Sequence, residues 1–511
     1  MTRPNPELPI PRLRVAMIAT KAPSEPWAVV ERTLRGMLDQ DFPYSYDVWL
    51  ATEVPTGKAI HWCRGHGVNV STRDGVAEYH RDTWPRRTKC KEGNLAYFYD
   101  HYGYDRYDVV AQLDADHVPA RDYLQHMVRP FADPNVGYVA APSICDANAD
   151  KGWTVRGRLY KESTMHGPVQ AGCNAGWAPV CIGSHYAVRT QALRDVGGLG
   201  PDLAEDYSTT LWLQSGGWDG VFAIDAEAHG DGPETFEAML TQEYQWARSL
   251  GTILTRWVPS KLPSIAFRAR VRLLFAVVFY LLQGLMLVAA TSLPTIGVIT
   301  GHTWGSGSVL NWYLHIWPCS LALTLCFAWL RNRGVLRPSR ARLWSADVVL
   351  FQLVRWPWTT WGFFRGMWEG RRRPAKRFKV TPKRGAAVAA PLQLSLVLPP
   401  LLLAVLPTVG LLVSGRPTRT LGLFVVVCVQ IATYLATAAA VVGLHIVNDR
   451  RKQSRLARSH VPYGRHALRH ATNYRLTWAG GGAAAALVGS VSAALIITMA
   501  WRIATFHLAF S

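Results

Sequence analysis

The sequence predicts an α/β domain on a mostly parallel sheet, followed by an α-helical transmembrane bundle with interfacial helices. Three observations predict this. Between residues 13 and 250, short apolar runs alternate with segments of helical spacing. Beyond about residue 270, apolar stretches recur that reach the roughly 20 residues a membrane helix needs. The 511-residue chain is 49% hydrophobic and only 18% charged, yet carries a net charge of +20.

The elements of the first part follow in order. LRVAMIAT (13–20) is an apolar run ending at a proline-containing loop, as a strand buried on both faces does. Residues 26–40 space Val29, Val30, Leu34 and Leu38 along one helical face. YDVWLAT (46–52), VVAQLDAD (109–116) and VGYVAAP (136–142) read as further strands. Strands alternating with helices build βαβ units and a sheet covered on both faces.

In the second part five spans are expected, at about 272–298, 309–330, 392–413, 420–446 and 477–500. Pro294, Pro399, Pro400 and Pro407 are expected to interrupt two of them. Segment 344–368 mixes Trp, Phe and Arg, and reads as one or two helices in the membrane interface, broken at Pro357, with a sixth span as the competing reading. The expected boundary puts a cytosolic domain at 13–250 and a membrane domain at 251–511.

Charge sets the orientation. The stretch Arg331–Arg384 holds a surplus of 13 positive charges and Asp449–Arg475 a surplus of seven, which together equal the whole net charge. The positive-inside rule makes both loops cytoplasmic, with the N-terminal domain on their side and the C-terminus outside. Contact with anionic lipid accounts for most of this charge, and nucleic acid is excluded as a partner because the charge lies beside the spans. The composition excludes a disordered or fibrous chain. Eight cysteines without a CxxC pair give no zinc site and no disulfide framework. The N-terminus lacks the apolar core of a signal peptide, so the first domain is expected in the cytosol of a multi-pass cell-membrane protein.

Four segments carry chemistry. Gln112-Leu113-Asp114-Ala115-Asp116-His117 ends a strand with two carboxylates one residue apart and an imidazole beside them. At the C-terminal edge of a parallel sheet, such carboxylates can hold a divalent cation that neutralises a diphosphate. In Lys91-Glu92-Gly93-Asn94-Leu95, a lysine beside a Gly-Asn turn opening a helix suits phosphate contact. Ala204-Glu205-Asp206-Tyr207 puts two acids at a helix start, where they either cap the helix or supply a general base. Gln242 to Arg248 is helical and carries Trp246, whose ring could anchor the helix at the interface or stack on a sugar.

Taken in this order and followed by spans, these residues resemble the membrane-embedded processive family-2 glycosyltransferases, with the bacterial cellulose synthase catalytic subunit the nearest likeness. LDADHVP resembles its metal and nucleotide motif, Lys91 to Leu95 its KAGNL, Ala204-Glu205-Asp206 its TED, and Gln242 to Trp246 its QxxRW. Phe378 to Lys383 is similar to its FxVTxK gating loop, expected here over 374–385. The resemblance implies a GT-A-like fold and inverting transfer from a UDP-sugar, with glucose first in line, to a growing β-glycan exported through the bundle. It implies Asp206 as catalytic base, and Asp116 and His117 as ligands of Mg²⁺ or Mn²⁺. Thr20, Glu25, Glu53, Lys91, Asp114, Thr381 and Lys383 are implied at the donor, and Gln242 and Trp246 at the acceptor.

Departures narrow the expectation. Ala204 replaces the Thr of TED, and Gln245 replaces the Arg of QxxRW, with Arg248 on the same helix face as the substitute. The family's two N-terminal spans and its cyclic-di-GMP barrel are missing, so cyclic-di-GMP is not expected to act, while accessory export subunits remain compatible. Alternatives are a non-processive transferase acting on a lipid-linked acceptor, a synthase of chitin, hyaluronan or mixed-linkage type, and a catalytically dead transporter or scaffold.

Overall fold

The computed structural model describes residues 4–302, 309–372, 392–413 and 421–458. The expected fifth span and the segment with Thr381 and Lys383 lie outside the described residues. Among the described residues ten strands are formed: β1 (Val15–Lys21), β2 (Tyr46–Thr52), β3 (Asn69–Thr72), β4 (Val109–Asp114), β5 (Val118–Pro119), β6 (Val136–Ala140), β7 (Ser143–Ile144), β8 (His185–Arg189), β9 (Asp219–Phe222) and β10 (Ala228–His229). Seven make one sheet in the order β3-β2-β1-β4-β8-β6-β9, and the two-residue strands make a second in the order β5-β10-β7. β1 pairs in parallel with β2 and β4, while β8 runs antiparallel to both β4 and β6. The large sheet is therefore mostly parallel, as expected, with one reversed strand inside it.

The apolar run of β1 is explained by burial on both faces. Val15, Met17 and Ala19 pack with Val30, Leu34 and Met37 of the Trp27–Leu38 helix. Ala16 and Ile18 point the other way, into a cluster with Trp49, Leu95, Phe98 and Leu213. Full burial of one such aliphatic side chain stabilises by roughly 1.5–3 kcal/mol, so each face contributes strongly.

By contacts the chain divides into two units. The first comprises Met1–Leu281, Ala328–Val348 and Thr359–Ala387, and the second Leu282–Phe327, Val349–Trp358 and Val388–Ser511. Within the first, the Phe236–Arg256 helix lies against the C-terminal half of the Ala346–Arg372 helix. Gly362, Gly366 and Gly370, four residues apart, make that approach possible. A Cβ at Gly366 would overlap the Arg248 carbonyl, and one at Gly370 the Thr255 hydroxyl. Arg248 Nε also donates to Glu369 at 2.7 Å, and Arg365 Nε to the same carboxylate at 2.8 Å.

Among the described residues, four helices are long and apolar enough to cross a membrane: Phe267–Thr300, Leu314–Asn332, Leu394–Leu412 and Gly422–Asn448. They fall on the first four expected spans. The helices run through Pro294, Pro399, Pro400 and Pro407, the prolines that the sequence places inside two of the spans. A proline removes one backbone donor, which a membrane helix tolerates. Pro357 likewise leaves Ala346–Arg372 as one helix. The neighbouring Trp356 is tied down there, donating to the Tyr434 hydroxyl at 3.0 Å and packing with Ala404, Ile431 and Leu435.

Candidate functional site

The strand edge gathers the charged groups. β4 ends at Asp114, in register with Thr20 of β1, so these two side chains start from neighbouring backbone positions. Asp114 is half-buried, whereas Asp116 and His117, in the turn after it, are buried. Ligand atoms of Asp114, Asp116 and His117 lie within 4.8 Å of one another. His117 Nδ1 is 3.2 Å from the Asp116 carboxylate, and its Nε2 is 3.0 Å from the Ser143 hydroxyl. Burial opposes the imidazolium, but the Asp116 carboxylate outweighs it and the His117 pKa rises to about 9. A cation bound here would displace that proton.

Lys91, first residue of the Lys91–Phe98 helix, reaches into the same edge. Its ammonium donates to Asp114 at 2.8 Å and to the Gly183 carbonyl at 2.6 Å, and lies 3.8 Å from Glu205. Burial works against its charge, yet Asp114 and Glu205 hold its pKa above the ordinary value. Gly93 belongs to the first turn of this helix because a Cβ there would overlap the Arg73 guanidinium and the Arg87 carbonyl. The fixed packing under Gly93 is what aims Lys91.

Asp206 lies in the first turn of the Glu205–Ser215 helix. Its Oδ1 accepts from the Tyr207 amide at 2.8 Å, and its Oδ2 lies against Gly183, leaving little room for a side chain there. Burial raises the pKa of Asp206, partly offset by the Tyr207 amide and Lys91. Glu205 is raised too, by burial and by the charges of Asp206 and Asp114. A partly buried carboxyl with a raised pKa, near a lysine, has the properties of a general base.

The other expected residues are placed as follows. Thr20 Oγ1 donates to the Leu113 carbonyl at 3.5 Å, and Glu25 accepts from the Ala22 amide at 2.7 Å. Glu53, just past β2, is buried and bound internally: its carboxylate accepts from the Lys89 amide at 3.2 Å and lies 3.6 Å from the buried Arg73. Gln242 and Trp246 lie half-buried on the Phe236–Arg256 helix and both meet Arg158. Arg158 Nη1 donates to Gln242 at 3.1 Å, and its guanidinium carbon sits 4.9 Å from the Trp246 ring centre. Gln245 is buried. Arg248, expected to substitute for the motif arginine, is instead engaged by Glu369. The i+3 spacing was compatible with that role, but a partner carboxylate 121 residues away claims the side chain.

Sequence reasoning missed one approach and two neighbouring residues. Glu205 was read as part of the acidic pair, but its approach to Lys91 shows only in three dimensions. Ser143 meets both His117 and His166, the latter through its carbonyl at 2.7 Å. Arg158 comes from a helix, Trp153–Glu162, that carries no motif.

Residues 109–331 match the family described as Glycosyl transferase family group 2. The chain is 26% identical over 200 residues to the cellulose synthase catalytic subunit [UDP-forming] of Pseudomonas fluorescens (strain SBW25), covering 38% of this chain and 25% of that one. It is 26% identical over 241 residues to the corresponding subunit of Xanthomonas axonopodis pv. citri (strain 306), covering 45% of this chain and 30% of the relative. The chain thus spans less than a third of the length of these relatives. Among solved structures, the mannosyltransferase PcManGT from Pyrobaculum calidifontis, in complex with GDP-Man and Mn²⁺, superposes with a TM-score of 0.46 at 16% identity, over 70% of this chain and 88% of its own.

Proposed function

We propose that this chain, which carries a glycosyltransferase family 2 domain, transfers a sugar from a UDP-sugar to a growing β-glycan with inversion and exports the product. UDP-glucose is the donor assigned, after the cellulose synthase likeness. The observation that carries this reading is the charged edge of β4, where Asp114, Asp116 and His117 lie together and Lys91 links Asp114 to Glu205.

Two carboxylates and an imidazole are a donor set that fits a hard or borderline divalent cation, Mn²⁺ or Mg²⁺. Asp116 and His117 would hold it, and when bound it would supply positive charge to the leaving diphosphate. Lys91 adds fixed charge on the same side, which stabilises the transition state electrostatically. Thr20, Glu25 and Glu53, near the ends of β1 and β2, take the nucleotide end with Asp114. Asp206 accepts the proton of the acceptor hydroxyl as its oxygen attacks the anomeric carbon and the UDP bond breaks. Trp246 and Gln242 receive the acceptor sugar. Thr381 and Lys383 are assigned to the diphosphate by their sequence motif.

The domain of residues 13–250 is assigned to the cytoplasm and residues 251–511 to the cell membrane, with the Ala346–Arg372 helix in the lipid interface. Its exposed Trp361 and Trp368 suit that position.

The test is incorporation of radiolabelled UDP-glucose by the full chain purified in detergent with Mn²⁺, followed by linkage-specific hydrolases. The expected product is a high-mass β-glucan, lost on adding EDTA and recovered with Mn²⁺. A single sugar on a lipid would overturn processivity, and incorporation unaffected by EDTA would overturn the cation.

A further inference from the structure

We propose that Arg158 is a positioning residue for the acceptor end of the site: its guanidinium fixes the Trp246 ring and the Gln242 amide as the surface on which the accepting sugar rests. The inference rests on the transfer reading above and extends it to a residue outside every motif.

Gln242 and Trp246 are four residues apart, so they share one face of the Phe236–Arg256 helix. Arg158 addresses both at once, bonding the amide at 3.1 Å and lying over the ring at 4.9 Å. A planar guanidinium can stack and donate together, which a lysine ammonium cannot do. The guanidinium is itself held: Glu162, one turn along the same helix, accepts from its Nε at 3.2 Å. Arg158 is only 8% exposed, so this arrangement is formed before any sugar arrives. The motif position that usually carries the arginine holds buried Gln245, and Arg248 is taken by Glu369. The cation that meets Gln242 and Trp246 comes from the neighbouring Trp153–Glu162 helix.

The chemical consequence is specific. When the acceptor hydroxyl is badly placed, water can attack the anomeric carbon instead. The carbon–oxygen bond to UDP still breaks, UDP leaves, Asp206 takes the water proton, and free sugar forms. Loosening the platform should therefore raise the ratio of UDP released to sugar incorporated, and leave the donor KM in place.

The experiment measures both quantities for the full chain in detergent with UDP-glucose and Mn²⁺. Arg158→Lys keeps a positive charge beside Glu162 but loses the planar fork. It should raise the ratio about tenfold, the order expected of a small misplacement. Trp246→Ala should shift the ratio the same way, and the double variant should go no further than Trp246→Ala, because the two residues act as one unit. Arg158→Met with Glu162→Gln, which removes both buried charges together, should behave like Arg158→Lys. A wild-type ratio in either Arg158 variant overturns the proposal, as does an equal fall in release and incorporation. If Trp246→Ala itself keeps the wild-type ratio, the acceptor assignment falls, and Arg158 with it. If Trp246→Ala shifts and Arg158→Lys does not, only the role of Arg158 falls.

Discussion

Asp114, Asp116, Glu205 and Asp206 approach one strand edge, and Lys91 is the ammonium bonded there. Carboxyl groups crowded and buried in this way are hard to ionise together. As the proposed base, Asp206 would act only when ionised, and its pKa is raised mainly by burial. The acid limb of kcat/KM should therefore lie at higher pH than an exposed aspartate would give, with the rate falling as pH drops through that raised value. Lys91→Met removes a positive charge that partly offsets this rise, so the limb should move to higher pH; a limb that moved downward would contradict the assignment. Asp116 makes a second prediction. Asp116→Asn keeps size but removes charge, and should lower transfer by ~10²–10³, roughly 3–4 kcal/mol, while the protein still folds. Full turnover with Mn²⁺ present would sink the cation site.

The pairing of the Phe236–Arg256 helix with the C-terminal half of Ala346–Arg372 depends on glycines that let one backbone touch another. The contact also positions Trp246, since Tyr244 and Arg248 flank it and meet Gly362 and Gly366. Gly366→Val should push the helices apart, cost about 1–3 kcal/mol, and lower both the thermal midpoint in detergent and the transfer rate. Gly443→Ala is the control, because a Cβ there meets nothing within 4 Å among the described residues. It should be neutral or slightly stabilising. Equal effects at the two positions would show that the close approach is unimportant. Trp356 illustrates the same dependence on neighbours: its bond to Tyr434 anchors a helix that passes through Pro357.

At the scale of the whole chain, a net +20 concentrated beside apolar helices argues for a membrane protein, and the orientation proposed above is open to test. The protein should sediment with membranes and resist carbonate extraction. A tag at the N-terminus should be cleaved by protease in inside-out vesicles and protected in sealed right-side-out ones. The reverse pattern would overturn the proposed orientation.

The sequence by itself determined the elements whose cause is local. β1, β2, β4 and β6 are short apolar runs, and the first four spans are long ones, so composition and period suffice to find them. Asp114, Asp116 and His117 were legible as a group because residues within four positions of one another, at a strand end and the turn after it, cannot separate far. Only the tertiary structure decided the rest. β8 mixes His, Tyr and Arg and carries no alternating pattern, so its reversed place between β4 and β6 follows from pairing across the sheet. Lys91 could be named from its motif, but its partners lie 23, 92 and 114 residues away in the chain. Spacing offers Arg248 as a stand-in for the motif arginine, but only the fold shows that Glu369 bonds it, and Arg158, silent in the sequence, reaches Trp246. A side chain's charge is written in the sequence, but its partner is chosen by whichever elements the core brings alongside.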